Sequence, residues 1–346
     1  MSEKTILTEE DVLELFRGMP EVALIATYGS AWFTQAGHDS KEKKTYDLIV
    51  FINGPQRTWH QKNYEQNPEF YTFMVKKTMV DETLPPTFLK KSSEFKDNFS
   101  CMYFDYNKHC EIKTLIVSAD YALRMLKSWE HFSIPGRLQK EIKVVYNGLG
   151  DEAVEAIYTN NRMATICALL LCEEEKIPLD KFNETRVNLS YLGDVRMKTG
   201  AENPDKVKNI SQGSESFFKG IYDSMDFVRI EDGFVLNYNN YYQNAGFLID
   251  ELPETIKTQI EASSKTDEEI RRILLDFFST HNELNSGELA YRCFWTNGAK
   301  KSIEVVVGKL KKQVNTRLYK IQSKLTAIFG SEKKGQKTAN HVLVKK

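Results

Sequence analysis

The sequence predicts an α/β domain over about the first 145 residues, followed by a mostly helical second domain. Three features predict this arrangement: short and continuously apolar strand-like runs, helical segments that alternate with them, and helical spacing of apolar residues beyond residue 150. Continuous apolar runs are typical of strands buried on both faces. Strands that alternate with helices are typical of α/β folds.

The N-terminal domain begins with a helix and two strands. Thr8–Asp11 precedes apolar residues at helical spacing, which predicts a capped amphipathic helix. Val22–Tyr28 is an apolar run that ends at a Gly-Ser pair, and Tyr46–Ile52 is a second run of the same kind. Between them, Ala31–Thr45 is predicted to form a short helix and then a polar loop.

The remaining segments define the rest of the predicted organisation. Ile112–Ser118 reads as a third strand and Ala119–Trp129 as a helix, and Asp151–Glu175 is predicted to be helical. Phe217–Met225 is a further predicted helix, whereas Phe234–Tyr242 alternates like a strand, so the second domain is predicted to be helical or winged-helix-like. The predicted boundaries are 1–148, 149–290 and 291–346, the last being a basic amphipathic helix with a flexible tail.

Composition excludes several classes of protein. The 346 residues carry a net charge of −1 with 41% hydrophobic residues, which argues against a disordered chain and against a general affinity for nucleic acid. The five cysteines form no CxxC pair, so buried reduced thiols are expected. The acidic N-terminus predicts neither a secretory signal nor a mitochondrial presequence. Because no apolar run reaches about 18 residues, any membrane contact is expected to be peripheral.

One group of residues in the first domain points to chemistry. Tyr28-Gly29-Ser30 joins the first strand to a predicted helix, and Asp47 lies inside the second apolar strand. Glycine lets phosphate approach the backbone, and a nearby carboxylate can hold Mg²⁺ against that phosphate. Each part alone fits an ordinary turn or a paired aspartate. Together they have the form of the polymerase-β-like nucleotidyltransferase motif, although Ile49 occupies the position of the usual second acid.

Ordered blocks extend this motif into a resemblance to a known family. They lie between about residues 22 and 210 and comprise Tyr28–Phe33, Asp47–Val50, Trp59–Asn63, Ile112–Lys113, Gly136–Lys140, Leu189–Met197 and Glu202–Val207. In this order they resemble the translocator assembly and maintenance family, the mitochondrial-type CDP-diacylglycerol synthases. Ala31 departs from the family, which usually has a second glycine there, and the family's C-terminal segment is not recognisable from about Ala290.

The resemblance implies an activity and a set of site residues. It implies transfer of cytidylate from CTP to phosphatidate, with release of pyrophosphate, in the synthesis of phospholipids such as phosphatidylglycerol and cardiolipin. Asp47, Lys113 and Asp194 are the expected catalytic residues, with Asp47 and Asp194 as ligands of Mg²⁺. The residues expected to bind the nucleotide are Tyr28, Gly29, Ser30, His60, Asn63, Arg137, Lys140 and Arg196. No histidine is needed as a general base, because the attacking phosphate oxygen is already ionised.

Several of these residues also have ordinary structural interpretations. Asp194 fits a turn aspartate paired with a nearby arginine, and Lys113 fits a solvated lysine on an edge strand. The Gly136–Lys140 segment fits a helix start with exposed charge. His60 and Asn63 lie one helical turn apart and could meet the base or ribose together, but a core tryptophan with a hydrogen-bonded histidine fits the same residues.

The C-terminal segment has a charge pattern of its own. From Lys300 to Lys346 thirteen Lys or Arg residues stand against two acids. Apolar residues between 310 and 328 fall on one side of a helical wheel, and the basic residues expected to bind a membrane are Lys312, Arg317, Lys320 and Lys324. Such a helix suits an anionic membrane surface, and a helix packed on the second domain or a dimer seam fits equally. Nucleic acid is not an expected partner, and the oligomeric state is left open.

Three functional hypotheses follow from the sequence. The first is a Mg²⁺-dependent phosphatidate cytidylyltransferase bound peripherally to a membrane. The second keeps the fold but transfers the nucleotide to a non-lipid acceptor, and the third is a catalytically weak, membrane-tethered scaffold. The expected location is the cytoplasm, at the inner face of a bacterial cell membrane. The alternative location is the matrix side of the mitochondrial inner membrane.

Overall fold

The computed structural model describes residues 6–33, 44–71, 76–80, 99–105, 110–200, 202–236, 248–287 and residue 307. The named elements of the first part are α1 (Glu9–Arg17), β1 (Val22–Tyr28), β2 (Lys44–Ile52), α2 (Gln56–Gln66), β3 (Phe99–Asp105), β4 (Cys110–Ser118), α3 (Ala119–Ser128), α4 (Pro135–Leu138) and β5 (Ile142–Asn147). A 3₁₀ turn at Pro68–Phe70 and a π turn at Lys76–Val80 follow α2.

The second part is mostly helical. Its elements are α5 (Asp151–Leu171), β6 (Lys176–Pro178), α6 (Leu179–Asn188), α7 (Val195–Lys198), α8 (Lys206–Gly213), α9 (Glu215–Asp223), β7 (Arg229–Glu231), β8 (Phe234–Leu236) and α10 (Glu254–Glu261). Residues 267–287 form a further helix, α11. The three short strands make a small sheet in the order β6-β8-β7.

Helix α1 begins at the cap that the sequence predicts. The Thr8 side chain accepts a hydrogen bond from the Asp11 amide, and the Asp11 carboxylate accepts one from the Thr8 amide at 2.9 Å. This reciprocal pairing satisfies two amides that the first helical turn would otherwise leave without partners. Val12 and Phe16 lie one turn apart on the buried side of the helix, so α1 packs against the main sheet.

The main sheet has five strands in the order β3-β4-β2-β1-β5. Strands β2 and β4 run parallel, and the other neighbouring strands run antiparallel. The sheet is therefore mixed, and the prediction of an α/β architecture is confirmed at that level. Strand β3 was not predicted from the sequence. It covers the outer side of β4 and makes β4 an interior strand.

The two faces of the main sheet pack against different helices, because successive residues of a strand point to opposite faces. One face, here called the α3 face, packs against α3 and α5, and its core includes Ala26, Ile49, Phe51, Leu115, Ala122, Leu126, Ala153 and Ala156. The other face, here called the α2 face, packs against α1 and α2, and its core includes Ile25, Leu48, Val50, Ile116, Val12, Phe16 and Trp59.

Helix α5 connects the main sheet to the second part of the chain. Its first turns contact the α3 face through Ala153 and Ala156. Its later turns join a cluster in which Trp129 and Phe132 pack against Phe278 of α11. The predicted boundary after residue 148 falls just before this shared helix. The division into domains stays a prediction.

Some expectations concern residues outside the described ranges. The proposed membrane-binding residues Lys312, Arg317, Lys320 and Lys324 lie there, as does most of the predicted 291–346 segment. The predicted strand at Phe234–Tyr242 is found as β8 over its first three residues, and the rest lies outside the description. Among the helices that the structure describes, none has both the length and the apolar character needed to cross a membrane.

Candidate active site

The first strand ends in a turn that requires glycine. Gly29 has a φ of +86°, and a Cβ there would lie 2.8 Å from Oδ2 of Asp47. Glycine tolerates both this backbone conformation and so close an approach. The amides of Trp32 and Phe33 each donate to the Gly29 carbonyl at 3.2 Å, which gives a turn where a helix was predicted to start. The remainder of that predicted helix lies outside the described residues, and Ser30 is exposed beside the turn.

Four side chains form one row across this end of the α3 face. Tyr28 of β1 pairs in register with Asp47 of β2, Asp47 with Lys113 of β4, and Lys113 with Tyr103 of β3. Nζ of Lys113 lies 3.5 Å from Oδ1 of Asp47 and 5.8 Å from the centre of the Tyr103 ring. Asp47, which lies inside the apolar strand β2, therefore has a cationic partner on the neighbouring strand β4. Because β4 is an interior strand, the edge-strand interpretation of Lys113 is wrong.

Lys113 is held as a cation by its neighbours. Burial alone would lower the pKa of its ammonium group, but Tyr103, Asp47 and Tyr28 together raise that pKa well above its usual value. The side chain of Lys113 is 19% exposed, so its charge remains accessible from one side. A permanent cation next to a carboxylate suits the binding of a phosphate chain better than it suits proton transfer.

The hydroxyl of Tyr28 has no hydrogen-bond partner among the described residues, although it is buried. Burial, followed by the charge of Asp47, raises the pKa of Tyr28 to about 12, so the phenol stays protonated at neutral pH. Leaving a buried donor without a partner costs free energy. An oxygen of a bound ligand next to Asp47 would satisfy this hydroxyl.

A second carboxylate, that of Glu111, lies two residues from the Asp47–Lys113 pair on the same two strands. It was not identified from the sequence. Glu111 pairs in register with Thr45, and the Thr45 hydroxyl donates to Oε2 of Glu111 at 3.2 Å. Both residues lie two positions from the Asp47–Lys113 pair, so they share the α3 face with it. Ile49, at the position of the missing acid, is buried in the core. The parallel register of β2 and β4 would have identified Glu111, but the sequence does not specify that register.

A group of four cations, here called the basic cluster, lies beside this row. Its members are Arg137, Lys140, Arg196 and Lys206. Arg137 follows the start of the short helix α4 and donates to the Ser133 hydroxyl at 2.9 Å. Lys140 donates to the Gly136 carbonyl and lies 5.2 Å from the centre of the Tyr191 ring. The segment does begin a short helix, as one interpretation of the sequence expected. Its charges are not fully exposed, however, because Arg137 and Lys140 are partly buried.

Asp194 is engaged within the protein. Its carboxylate caps α7 by accepting from the Arg196 amide at 2.8 Å and also accepts from the Arg196 guanidinium, with Oδ2 and Nη2 2.5 Å apart. This is the turn-and-pair arrangement that the sequence left open. Among the described residues there is no group of three or more His, Cys, Asp or Glu side chains placed to hold a metal ion. Arg196 thus engages the carboxylate of Asp194, and a role for Asp194 as a ligand of Mg²⁺ stays a prediction.

The basic cluster and the Asp47 row belong to one electrostatic environment. The positive charge of Arg137 acts on Tyr28, which is paired with Asp47, and the same charge acts on Lys140. The charge of Arg137 thus acts both on the row that contains Asp47 and on Lys140, which is also affected by Arg196 of α7 and Lys206 of α8. The structure brings together Tyr28, Gly29, Ser30, Asp47 and Lys113 at the end of the sheet. Of the basic cluster, Arg137 is the member whose charge acts on these residues, through Tyr28, and Lys140 and Arg196 belong to the cluster around Arg137.

Hydrogen bonds from the second part of the chain fix the segment that carries Arg137. Three side chains donate to its backbone carbonyls: Asn160 to Pro135 at 3.1 Å, Ser190 to Gly136 at 2.6 Å, and Asn161 to Leu138 at 3.5 Å. Buried carbonyls need such partners, and here the partners come from helix α5 and from the turn that follows α6. The position of the segment that carries Arg137 therefore depends on the packing of α5 and of that turn.

His60 and Asn63 are not brought to this site. Both residues belong to α2, and their side chains are fully buried on the α2 face of the sheet, opposite to Asp47. The two ring nitrogens of His60 lie 2.9 Å from the Tyr71 and Ser100 hydroxyls, and Asn63 donates to the Tyr71 hydroxyl at 3.1 Å. This is the core arrangement that the sequence left open, and it engages both side chains inside the core, on the face away from Asp47.

The buried His60 is expected to make the protein sensitive to acid. Burial lowers the pKa of His60 from 6.5 to about 3. The unfolded chain takes up this proton below about pH 6.5, whereas the folded chain does not, so the stabilisation is complete above that pH and is lost as the pH falls toward 3. Between pH 6 and 4.5, the wild type should lose about 1.4 kcal/mol of unfolding free energy per pH unit more than His60→Gln. Urea unfolding across this range measures both slopes, and parallel profiles would contradict the assignment.

Comparison with known proteins identifies the family. The sequence model described as "Phosphatidate cytidylyltransferase, mitochondrial" matches residues 10–286. The chain belongs to this family. A phosphatidate cytidylyltransferase of Schizosaccharomyces pombe is 32% identical over 216 residues, which cover 61% of this chain and 51% of that protein. The family resemblance drawn from the ordered sequence blocks is therefore confirmed.

Relatives with the same name occur in other eukaryotes. That of Saccharomyces cerevisiae is 29% identical over 248 residues, covering 68% of this chain and 58% of the yeast protein. That of Homo sapiens is 30% identical over 251 residues, covering 71% of this chain and 51% of the human protein. The chain thus spans about half the length of these relatives. All three are named as mitochondrial proteins, which agrees with the alternative location and gives no support to a bacterial cell membrane.

Proposed function

We propose that this chain is a phosphatidate cytidylyltransferase, which converts CTP and phosphatidate into CDP-diacylglycerol and pyrophosphate. The observation that carries the proposal is the Gly29 turn, which lies directly against the carboxylate of Asp47 and next to the cation of Lys113. The family membership and the names of the relatives support the same reaction.

We propose that the triphosphate of CTP binds at the end of the main sheet that carries the Gly29 turn, Asp47 and Lys113. The turn at Gly29 and Ser30 would lie against its phosphates, Lys113 and Arg137 would neutralise part of their charge, and the Tyr28 hydroxyl would donate to one of their oxygens. We propose that the first part of the chain is a polymerase-β-like nucleotidyltransferase domain. The mixed sheet, with a glycine turn after β1 and a carboxylate on β2, supports that proposal.

The reaction needs positioning more than acid–base chemistry. An ionised phosphate oxygen of phosphatidate attacks the α-phosphorus of CTP, a new P–O bond forms, and the bond to the β-phosphate breaks with departure of pyrophosphate. Because the attacking oxygen carries no proton, the reaction needs no side chain as a general base. The residues of the site act by holding two anions together and by stabilising the charge that moves to pyrophosphate.

The carboxylates of the sheet end fit a magnesium ion. Mg²⁺ binds through one or two carboxylates together with phosphate oxygens and water. Asp47 lies against the glycine turn, and Glu111 provides a second carboxylate on the same face. When bound, Mg²⁺ would neutralise the triphosphate and the leaving pyrophosphate. Binding of Mn²⁺ in the presence of CTP, measured by electron paramagnetic resonance, should weaken in Glu111→Gln and be lost in Asp47→Asn.

Purified protein tests the proposed reaction directly. With CTP, Mg²⁺ and vesicles containing phosphatidate, we expect equal amounts of pyrophosphate and CDP-diacylglycerol. Vesicles of phosphatidylcholine alone should give neither product. Equal turnover without phosphatidate would favour the non-lipid acceptor, and binding of CTP without turnover on any acceptor would favour the scaffold.

The Tyr28 hydroxyl gives a second test, which separates a ligand contact from a structural one. Tyr28→Phe should leave the free energy of unfolding unchanged or raise it by up to about 1 kcal/mol, because the hydroxyl has no internal partner. The KM for CTP should rise about 3- to 10-fold, because one hydrogen bond to the ligand is lost. Urea unfolding and steady-state kinetics measure the two effects. Lower stability with an unchanged KM would assign the hydroxyl to the fold.

We further propose peripheral attachment to a membrane, on the matrix side of the mitochondrial inner membrane. A lipid substrate requires access to a membrane surface, and the relatives are named as mitochondrial proteins, which supports a mitochondrial setting. The basic segment with Lys312, Arg317, Lys320 and Lys324 is the proposed contact with anionic lipid. Sedimentation with phosphatidate-containing vesicles should fall when these four residues are replaced by Gln and when salt is raised.

A further inference from the structure

The basic cluster carries more positive charge than its own carboxylates neutralise. Asp194 is occupied by Arg196, and Glu202 lies 3.1 Å from Lys206 and 3.7 Å from Arg196. The other two cations, Arg137 and Lys140, donate to backbone carbonyls. Among the described residues, four basic side chains therefore face two carboxylates, so the basic side chains of the cluster outnumber the acidic ones.

This excess charge is concentrated on a partly buried surface. Burial, together with the charges of Arg137, Lys206 and Arg196, holds the pKa of Lys140 well below its usual value. The side chains of Arg196 and Lys206 are 40% and 29% exposed, so the cluster opens to solvent on one side. Like charges gathered without matching acids repel one another, and a bound anion removes that repulsion.

We propose that the basic cluster binds the phosphate monoester of the lipid acceptor, while the triphosphate of CTP occupies the Gly29 turn. This inference rests on the proposed cytidylyltransferase function. A phosphate monoester carries close to two negative charges near neutral pH, and its presence would also favour the protonated form of Lys140. A phosphodiester carries only one, so the cluster should distinguish phosphatidate from other glycerophospholipids.

Two separate phosphate sites follow from the placement of the cations. The Gly29 turn has its own cation, Lys113, which lies on the sheet and is paired with Asp47. Lys206 and Arg196 come from α8 and α7, and their charges act on Lys140. Arg137 acts on both groups, because its charge reaches Tyr28 and Lys140. In this arrangement Arg137 is the cation that acts on both sites, and it would reduce the repulsion between the attacking phosphate and the α-phosphate.

Exposed apolar residues next to the cluster favour a lipid over a soluble phosphate. Val195 directly follows Asp194 and is 38% exposed. Leu284, on the adjoining helix α11, is 64% exposed. The two segments are joined by an ion pair of 2.6 Å between Lys198 and Glu283. Exposed apolar residues on these adjoining segments suit the glycerol and acyl part of a phosphatidate molecule.

Lys206→Gln, with Lys208→Gln as its matched control, tests this site in the full chain. Lys208 lies on the same helix α8 but is exposed. Calorimetry would measure the binding of dihexanoyl phosphatidate, inorganic phosphate and dihexanoyl phosphatidylglycerol, and kinetics would give KM for CTP and for phosphatidate. Lys206→Gln should weaken binding of phosphatidate and raise its KM at least about tenfold, with the KM for CTP changed less than about twofold. Lys206→Arg should retain binding, and Lys208→Gln should resemble the wild type.

The outcomes separate this inference from the proposed function. Normal CTP turnover with unchanged phosphatidate affinity in Lys206→Gln would overturn the inference and leave the function intact. A rise in the KM for CTP alone would assign the cluster to the triphosphate and would also overturn it. Phosphatidate binding that is lost in Lys206→Gln, in a protein that never forms CDP-diacylglycerol, would support the inference and contradict the function. Binding of inorganic phosphate as tight as that of phosphatidate would contradict a lipid site.

Discussion

Asp47→Asn should lower kcat/KM for CTP by roughly 10³-fold while the protein stays folded. The substitution preserves the size of the side chain but removes its negative charge. That charge lies against the Gly29 turn, because Oδ2 of Asp47 is packed on Gly29. Without that charge the site cannot hold a divalent cation against the triphosphate. The same change removes the counterion of Lys113, which lies 3.5 Å away.

A stability measurement separates a catalytic from a structural effect of this change. The Asp47 and Lys113 side chains are 25% and 19% exposed, so loss of their pairing should cost only about 1 kcal/mol of unfolding free energy. Asp223→Asn is a suitable control, because Asp223 forms an exposed pair with Lys219 on α9. Activity in Asp47→Asn within tenfold of the wild type would contradict the assignment of Asp47.

Gly193→Ala should destabilise the protein by at least about 3 kcal/mol. Gly193 has a φ of +75°, and a Cβ there would overlap the carbonyl oxygen of Ser279 and lie 2.6 Å from its Cα. The backbone of α11 is packed directly on this turn, so the methyl group has no direction in which to move. The left-handed conformation and the overlap each add to the cost.

Gly220→Ala is the matched control for this prediction. Gly220 lies inside α9, and a Cβ there would meet no atom within 4 Å. Alanine is favoured over glycine in a helix interior, so this variant should be as stable as the wild type or more stable by up to about 1 kcal/mol. Urea unfolding of the two variants gives the comparison. A loss below about 1 kcal/mol in Gly193→Ala would contradict the close packing of α11 on the turn.

The sequence predicted the elements whose residues are strongly patterned. The apolar run Val22–Tyr28 is β1 with the same bounds, and the capped helix after Thr8 is α1. Asp47 could be singled out because a carboxylate inside an apolar strand needs a partner. Strand β3 was missed, because Phe99–Asp105 mixes polar and apolar residues and depends on pairing with β4.

The parts of the site that depend on distant contacts could not be predicted. Glu111 reaches the face of Asp47 through the register of β2 and β4, which no local pattern specifies. The pairing of Lys206 with Glu202 is local, but its placement beside Lys140 depends on the packing of several helices. His60 looked like a site residue by its spacing, and only the fold places it on the opposite face of the sheet.

A structure determined with CTP and Mg²⁺ would show where the triphosphate and the metal ion bind. We expect the triphosphate against the backbone of Gly29 and Ser30, with the metal ion bound to the Asp47 carboxylate and the Lys113 ammonium group on a phosphate oxygen. A triphosphate bound elsewhere, or a metal ion that does not touch Asp47, would contradict this expectation.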